Sequence, residues 1–354
     1  MEKPIVRLPK TRHLGLGRKI VGLYGILLLA NATAWIWAIG SFSGNAILMG
    51  SAVLAYGLGL RHAVDADHIA AIDNVTRALM QKGKRPVGVG LFFSLGHSTV
   101  VILAVIALSI AAATFKSQLG WFQSVGGTVG TLVSAMFLLG IALVNAAVFR
   151  TVYRRFRQAR AGLIAVDDDI ETVFSGGGLL VRLFRPMFRL IGQSWHMYPL
   201  GILFGLGFDT ATEISLLGIS AVESARGLSV WSILIFPGLF TAGMSLVDAS
   251  DSILMLRAYG WAFTDPMRKL YYNMIMTLVS VVVALVVGGI EALGLIADHL
   301  ELDGAVWRSV RMAGSQFGLL GYGIVGFFLA CWLISVLVYR VRGFGKLETA
   351  GPAV

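Results

Sequence analysis

Eight stretches of this 354-residue chain are apolar over roughly the twenty residues that an α-helix needs to cross a bilayer. They run over Ile20–Ile39, Ala46–Val75, Val87–Ala113, Thr128–Phe149, Met197–Ala221, Val230–Leu256, Tyr272–Ile296 and Ser315–Tyr339. Only 14% of the residues are charged, against roughly 25% in a soluble domain, so the chain lacks the polar surface that water demands. Soluble enzymes, disordered chains and secreted disulfide scaffolds are excluded. A single cysteine, Cys331, removes intramolecular disulfides and Cys-rich metal sites. The first stretch follows Arg18 and Lys19 without a small-residue cleavage site, and reads as a retained helix. The expected fold is all-α: a polytopic membrane protein of eight transmembrane helices.

Lysine and arginine set the expected orientation, because basic loops stay cytoplasmic. The N-terminal segment, the loops after spans two, four and six, and the C-terminal segment together hold 24 of the 29 basic residues. Among them are Arg77, Lys82, Lys84 and Arg85 after span two. The opposite loops hold four, and Arg61 lies within a span. Both termini are expected on the cytoplasmic side of the cell membrane. The net charge of +10 is then a topology signal, and no nucleic-acid partner is needed to explain it. The chain divides into an N-terminal half (1–149, spans one to four), a cytoplasmic linker (150–196), a C-terminal half (197–339, spans five to eight) and a tail (340–354). Glycine pairs Gly126/Gly130, Gly201/Gly205 and Gly314/Gly318 have the spacing that lets helices approach closely.

Two segments recur. Gly57-Leu58-Gly59-Leu60-Arg61-His62-Ala63-Val64-Asp65 matches Gly205-Leu206-Gly207-Phe208-Asp209-Thr210-Ala211-Thr212-Glu213, and Phe93-Ser94-Leu95-Gly96 matches Phe240-Thr241-Ala242-Gly243. The order is the same and the offsets nearly equal. Under the charge-derived topology the members of each pair run in opposite directions, which implies an inverted repeat of spans two and three against spans five and six, a recurring transporter architecture.

The spans carry Asp65, Asp67, Asp73, Asp209, Glu213, Asp248 and Asp251, with Arg61 as the one base. A carboxylate at a helix centre costs about 2.5–3.5 kcal/mol to insert, so this excess calls for a cation. His62, His68 and His97 narrow the class, since imidazole suits nickel, cobalt, copper and zinc better than sodium, magnesium or calcium. On a straight helix His62, Asp65 and His68 share a broad face while Asp67 points away; unwinding near Gly57 and Gly59 is the alternative. Arg61 is spaced to pair with Asp65. Asp209 and Glu213 lie one helical turn apart, suiting ligation or proton relay. Ser98, Thr210, Thr212, Met244, Asp73, Asp248 and Asp251 are candidates for supporting or gating roles, with packing the plainer reading of Met244.

These motifs resemble the nickel/cobalt transporter (NiCoT) family of membrane permeases. Arg61–Ile69 fits that family's second-span pattern R-H-A-x-D-A-D-H-I without a gap. Phe93–Ser98, Leu206–Glu213 and Gly243–Asp251 are similar to its third-, fifth- and sixth-span motifs, with Ala249 where the family usually has threonine. The resemblance implies Ni²⁺ or Co²⁺ as transported substrate, usually taken up, with no prosthetic group and no catalytic activity. It points to His62, Asp65, Asp67, His68, His97, Asp209 and Glu213 as metal ligands. No G-x-x-x-x-G-K-[ST] loop occurs, so ATP hydrolysis by that route is not expected of this chain, nor is an ATPase subunit implied. Export, or carriage of Zn²⁺ or Mn²⁺, is the alternative; an intramembrane metalloenzyme lacks its H-E-x-x-H motif.

Overall fold

The computed structural model describes residues 11–110, 116–160, 192–206, 211–262, 266–316, 319–324, 326, 327, 330 and 334. Within them the chain is helical, with no strand among the described residues. The long helices are α1 (Thr11–Phe42), α4 (Val89–Ile110), α5 (Lys116–Arg160), α9 (Ile235–Ala262) and α10 (Pro266–His299). Each contains a segment long and apolar enough to cross a membrane. A sixth span is bent: α2 (Ala46–His62) and α3 (Ala66–Gln81) meet at 51°. The fifth predicted span coincides with two short helices, α6 (Met197–Gly205) and α7 (Ala211–Ala225), which are not among the candidate spans; residues 207–210 lie outside the described set. Two shorter helices, α8 (Val230–Ile233) and α11 (Ala305–Ser315), complete the series. Five or six candidate spans are therefore seen where eight are expected; about half of the eighth lies outside the described residues.

Outward faces carry Val21, Ile26, Leu29, Ile36, Val53, Leu103 and Val286, all exposed. A water-soluble surface does not string large apolar side chains along successive helices in this way. The chain is a multi-pass membrane protein. Residues 150–160, expected in the linker, continue α5 as helix, and Ala305–Ser315, expected as loop, forms α11.

The helices pack in reciprocal pairs. α2 lies along α9, α6 along α4 and α5 along α10, while α4 and α9 also meet each other. Small residues set these distances. A Cβ on Gly59 would collide with the Phe240 backbone, and one on Gly201 with the Phe93 carbonyl; Gly205 is held against His97 in the same seam. Of the predicted pairs, Gly201/Gly205 thus marks a close helix approach. Gly314 does not, since its nearest neighbour, Ile290, is at ordinary van der Waals distance. Gly57, two residues from Gly59, faces open space. Overpacking a tight contact costs typically about 1–3 kcal/mol. Gly59→Ala is therefore expected to lower the thermal midpoint and weaken transport, while Gly57→Ala leaves both near wild type. Equal melting of the two variants in detergent would contradict the packing argument.

Two apolar clusters flank the middle of the bundle. One joins Ile69, Ile72, Phe93, Leu138, Ile141 and Val287, and the other Phe42, Ala52, Val101, Leu216, Phe236 and Phe240. Polar side chains meet along the seam between them.

Candidate metal site

The break between α2 and α3 makes the site. α2 ends in a tightened turn, with Val64 N–H donating to the Arg61 carbonyl and Asp65 N–H to that of His62. Asp65 takes an extended backbone (φ −65°, ψ 146°) and is the N-cap of α3, with Asp67 in the first turn. Aspartate is favoured at both places, for its capping preference and for its charge beside the positive end of the helix dipole. The Asp65 side chain nevertheless makes no capping bond. Its Oδ2 instead accepts from His62 Nδ1 at 2.9 Å.

Straight-helix phasing and its alternative, unwinding near Gly57 and Gly59, are therefore both overturned. His62 and His68 lie on different helices, on either side of residues 63–65, and the chain does not unwind at Gly57 and Gly59, which stay within α2. Arg61 forms no ion pair with Asp65. The break removes the i, i+4 relation, and His62 takes the carboxylate's Oδ2.

Three imidazoles converge. His62, His68 and His97 are all buried, and one ligand atom from each lies within 4.8 Å of the others. Ring centroids are 4.6 Å apart for His62 and His68, 4.8 Å for His62 and His97, and 5.0 Å for His68 and His97. Phe240 flanks His62 and Phe93 flanks His68, so each apolar cluster supplies one wall.

Carboxylates decide which nitrogens face inward. His68 Nδ1 sits 3.2 Å from Asp248 Oδ2, and that same oxygen accepts from Ser94 Oγ at 2.7 Å. His68 Nε2 is buried without a partner among the described residues. A carboxylate at Nδ1 holds the proton there and leaves the Nε2 lone pair open for a metal. His62 follows the same pattern: Asp65 Oδ2 and Thr212 Oγ1 lie 2.9 and 3.0 Å from its Nδ1, and its Nε2 turns towards His97. His97 Nε2 is 3.0 Å from His62 Nε2 and 2.8 Å from Glu213 Oε1, so one N–H on His97 is shared between a nitrogen and a carboxylate. The donor set is nitrogen-rich, completed by carboxylate oxygen and screened from water. It suits a divalent transition metal, whose ligands are imidazole and carboxylate.

The comparisons with known proteins agree with this chemistry. The sequence pattern of the NicO family, described as high-affinity nickel-transport protein, matches residues 48–338. The chain belongs to the NicO family. A high-affinity nickel transport protein of Cupriavidus necator is 55% identical over 330 residues, covering 93% of this chain and 94% of its own length. The Staphylococcus aureus nickel transporter NixA is 46% identical, covering 91% and 93%. The Rhodococcus rhodochrous cobalt transport protein NhlF is 41% identical, covering 92% and 93%. No solved structure matches the chain.

Of the ligands expected in this NicO chain, His62, Asp65, His68, His97 and Glu213 come together as described. Asp67 is partly exposed, and its buried Oδ1 has no hydrogen-bond partner among the described residues. Asp209 and Thr210 lie outside the described residues. Thr212 touches His62, and Asp248 touches His68. Ser98 is buried at the next position after His97, its hydroxyl without a partner among the described residues. Met244 is fully buried in the second apolar cluster, which is packing. Asp73 is not at the histidines; its Oδ2 accepts from Ser280 Oγ at 2.7 Å. Asp251 carries a buried Oδ2 without a partner among the described residues and lies one turn after Asp248 on α9.

Three polar residues escaped the sequence reading. Ser94, inside the recognised third-span motif, anchors Asp248. Glu291, buried in α10, accepts from Ser134 Oγ at 2.9 Å. Its single carboxylate in an otherwise apolar span was the available signal. Arg77, counted among the cytoplasmic loop charges, is fully buried in α3 and donates to Thr277 Oγ1 and Asn74 Oδ1. Placement of Arg77 in solvent is therefore corrected: α3 runs on to Gln81, and α5 and α10 cover its side.

Proposed function

We propose that this chain is a secondary permease that takes up Ni²⁺, Co²⁺ or both across the cell membrane through the His62/His68/His97 site. The carrying observation is that three buried imidazoles bring ligand atoms within 4.8 Å of one another while carboxylates hold two of the rings by Nδ1. The names of the relatives, nickel transporters and one cobalt transporter, support the same substrate class.

In this reading His62, His68 and His97 bind the dication, with Glu213, Asp65 and Asp67 supplying negative charge around it and Asp209 joining from the fifth span. Asp248 and Thr212 orient the rings. Metal must displace the proton on His97 Nε2, so metal and protons compete for the site. The membrane potential supplies the drive. At about 2.3 kcal/mol per charge per 100 mV, a dication gains roughly 4.6 kcal/mol moving inward. The chain carries metal as substrate, with no prosthetic group, no catalytic step and no ATPase subunit.

The architecture proposed is eight spans with both termini cytoplasmic and an inverted repeat of spans two and three against five and six. Reciprocal packing supports the repeat: the first helix of each unit lies along the second helix of the other, and α4 meets α9. Two opposed halves sharing one central site are suited to alternating access.

The test is accumulation of radiolabelled Ni²⁺ and Co²⁺ in cells expressing wild type or His62→Ala. Uptake of either metal by wild type, with the variant at background, is expected. Equal uptake by both would remove His62 from the site, and accumulation of Zn²⁺ or Mn²⁺ instead would sink the cargo assignment. Spans two and five facing the same way in a cysteine-accessibility map would reject the repeat.

A further inference from the structure

Arg77 is the one fully buried arginine among the described residues, and the site just derived does not use it. Its Nη1 donates to Thr277 Oγ1 at 2.9 Å and its Nη2 to Asn74 Oδ1 at 3.4 Å, and its Nε has no partner among the described residues. No carboxylate comes within ion-pair distance of it among the described residues; the partners are a hydroxyl and an amide. A guanidinium held in a membrane-spanning bundle by neutral groups is costly, and such residues mark ion pathways.

Its place gives the cost a purpose. α3 runs unbroken from His68 to Gln81, so Arg77 lies nine residues beyond His68, about 13 Å along the axis. Carboxylates lead from the histidines in that direction. Asp248 touches His68, Asp251 follows one turn later on α9, and Asp73 lies one turn before Arg77 on α3. The helices are fastened together where this acidic series ends. Arg77 ties α3 to α10, Ser280 ties α10 to Asp73, and Asn145 of α5 donates to the same Asn74 oxygen at 2.6 Å.

We propose that Arg77 is a gating residue: a fixed positive charge, latched to Thr277 and Asn74, that closes the cytoplasmic side of the pathway and bars a dication from passing until the latch is released. An arginine placed in a pore excludes cations by the same electrostatics. The inference rests on the proposed permease function and on the cytoplasmic placement of the end of α3.

The experiment uses purified full-length protein in liposomes loaded with radiolabelled Ni²⁺, measuring efflux without a membrane potential and, separately, Ni²⁺ affinity in detergent. Arg77→Gln is expected to raise efflux about tenfold by removing the electrostatic barrier, with the dissociation constant changed less than about twofold and with Arg77→Lys close to wild type. Thr277→Val keeps the charge and cuts the latch; it is expected to raise efflux by a smaller factor, and it decides the matter if Arg77→Gln does not fold. Wild-type efflux in Arg77→Gln, or in Thr277→Val where the first variant is not recovered, overturns the proposal. So does equal impairment of Arg77→Gln and Arg77→Lys with matching losses of thermal stability, which marks a structural arginine. Wild-type protein that moves no Ni²⁺ at all refutes the permease reading instead.

Discussion

His68→Ala is expected to abolish high-affinity Ni²⁺ binding and to bring uptake to background, a loss of more than about a hundredfold, since even changes to residues that only orient a ligand cost 10–100-fold. Two losses combine. The buried Nε2, which has no partner among the described residues, disappears, and Asp248 loses its histidine while remaining fully buried beside Ser94. A buried carboxylate stripped of its partner destabilises the fold as well, so calorimetric binding on purified protein must accompany a thermal melt. A His68→Ala protein that melts like wild type and still binds Ni²⁺ with unchanged affinity would remove His68 from the ligand set.

Asp248 yields the second large effect, graded by design. Asp248→Leu leaves His68 Nδ1 without an acceptor and frees the ring to turn, so about a hundredfold loss of metal affinity is expected. Asp248→Asn keeps a carbonyl oxygen that accepts the Nδ1 proton but loses the charge, and is expected to cost about tenfold. Ser94→Ala removes the hydroxyl that lies 2.7 Å from the carboxylate and 2.8 Å from the Gly90 carbonyl, a loss of about 0.5–1.5 kcal/mol for a hydrogen bond, or 1.5–3 kcal/mol where one partner is charged. Titrating Ni²⁺ into the three purified variants checks the order. Affinities that fall equally, or an asparagine variant weaker than the leucine, would contradict the orienting role.

Much of the site was legible because the relevant signals are local. Acids and histidines inside an apolar run must be explained by a cation whatever the tertiary structure, which is why His62, Asp65, His68, His97 and Glu213 were all named and now sit together. The phase of Arg61–Ile69 was misjudged for a local reason too. A helical wheel assumes one unbroken axis, and the N-cap signal of Asp65 with Asp67 behind it is the mark of a new helix. Arg77 was misplaced because basic residues near a span end are normally read as loop charges.

What the sequence determined by itself was the solvent, the helical class and the chemistry of the cargo, because length, apolarity and ligand type are properties of single segments. What only the tertiary structure decided was partnership. Glu213 and Thr212 reach histidines more than a hundred residues away, Asp248 meets His68 across 180 residues, and Thr277 accepts a hydrogen bond from Arg77 across 200 residues. Such pairings depend on how closely helices approach and at what angle they bend. Those are set by small residues meeting backbone, as Gly59 meets Phe240, and no segment read alone contains its neighbour.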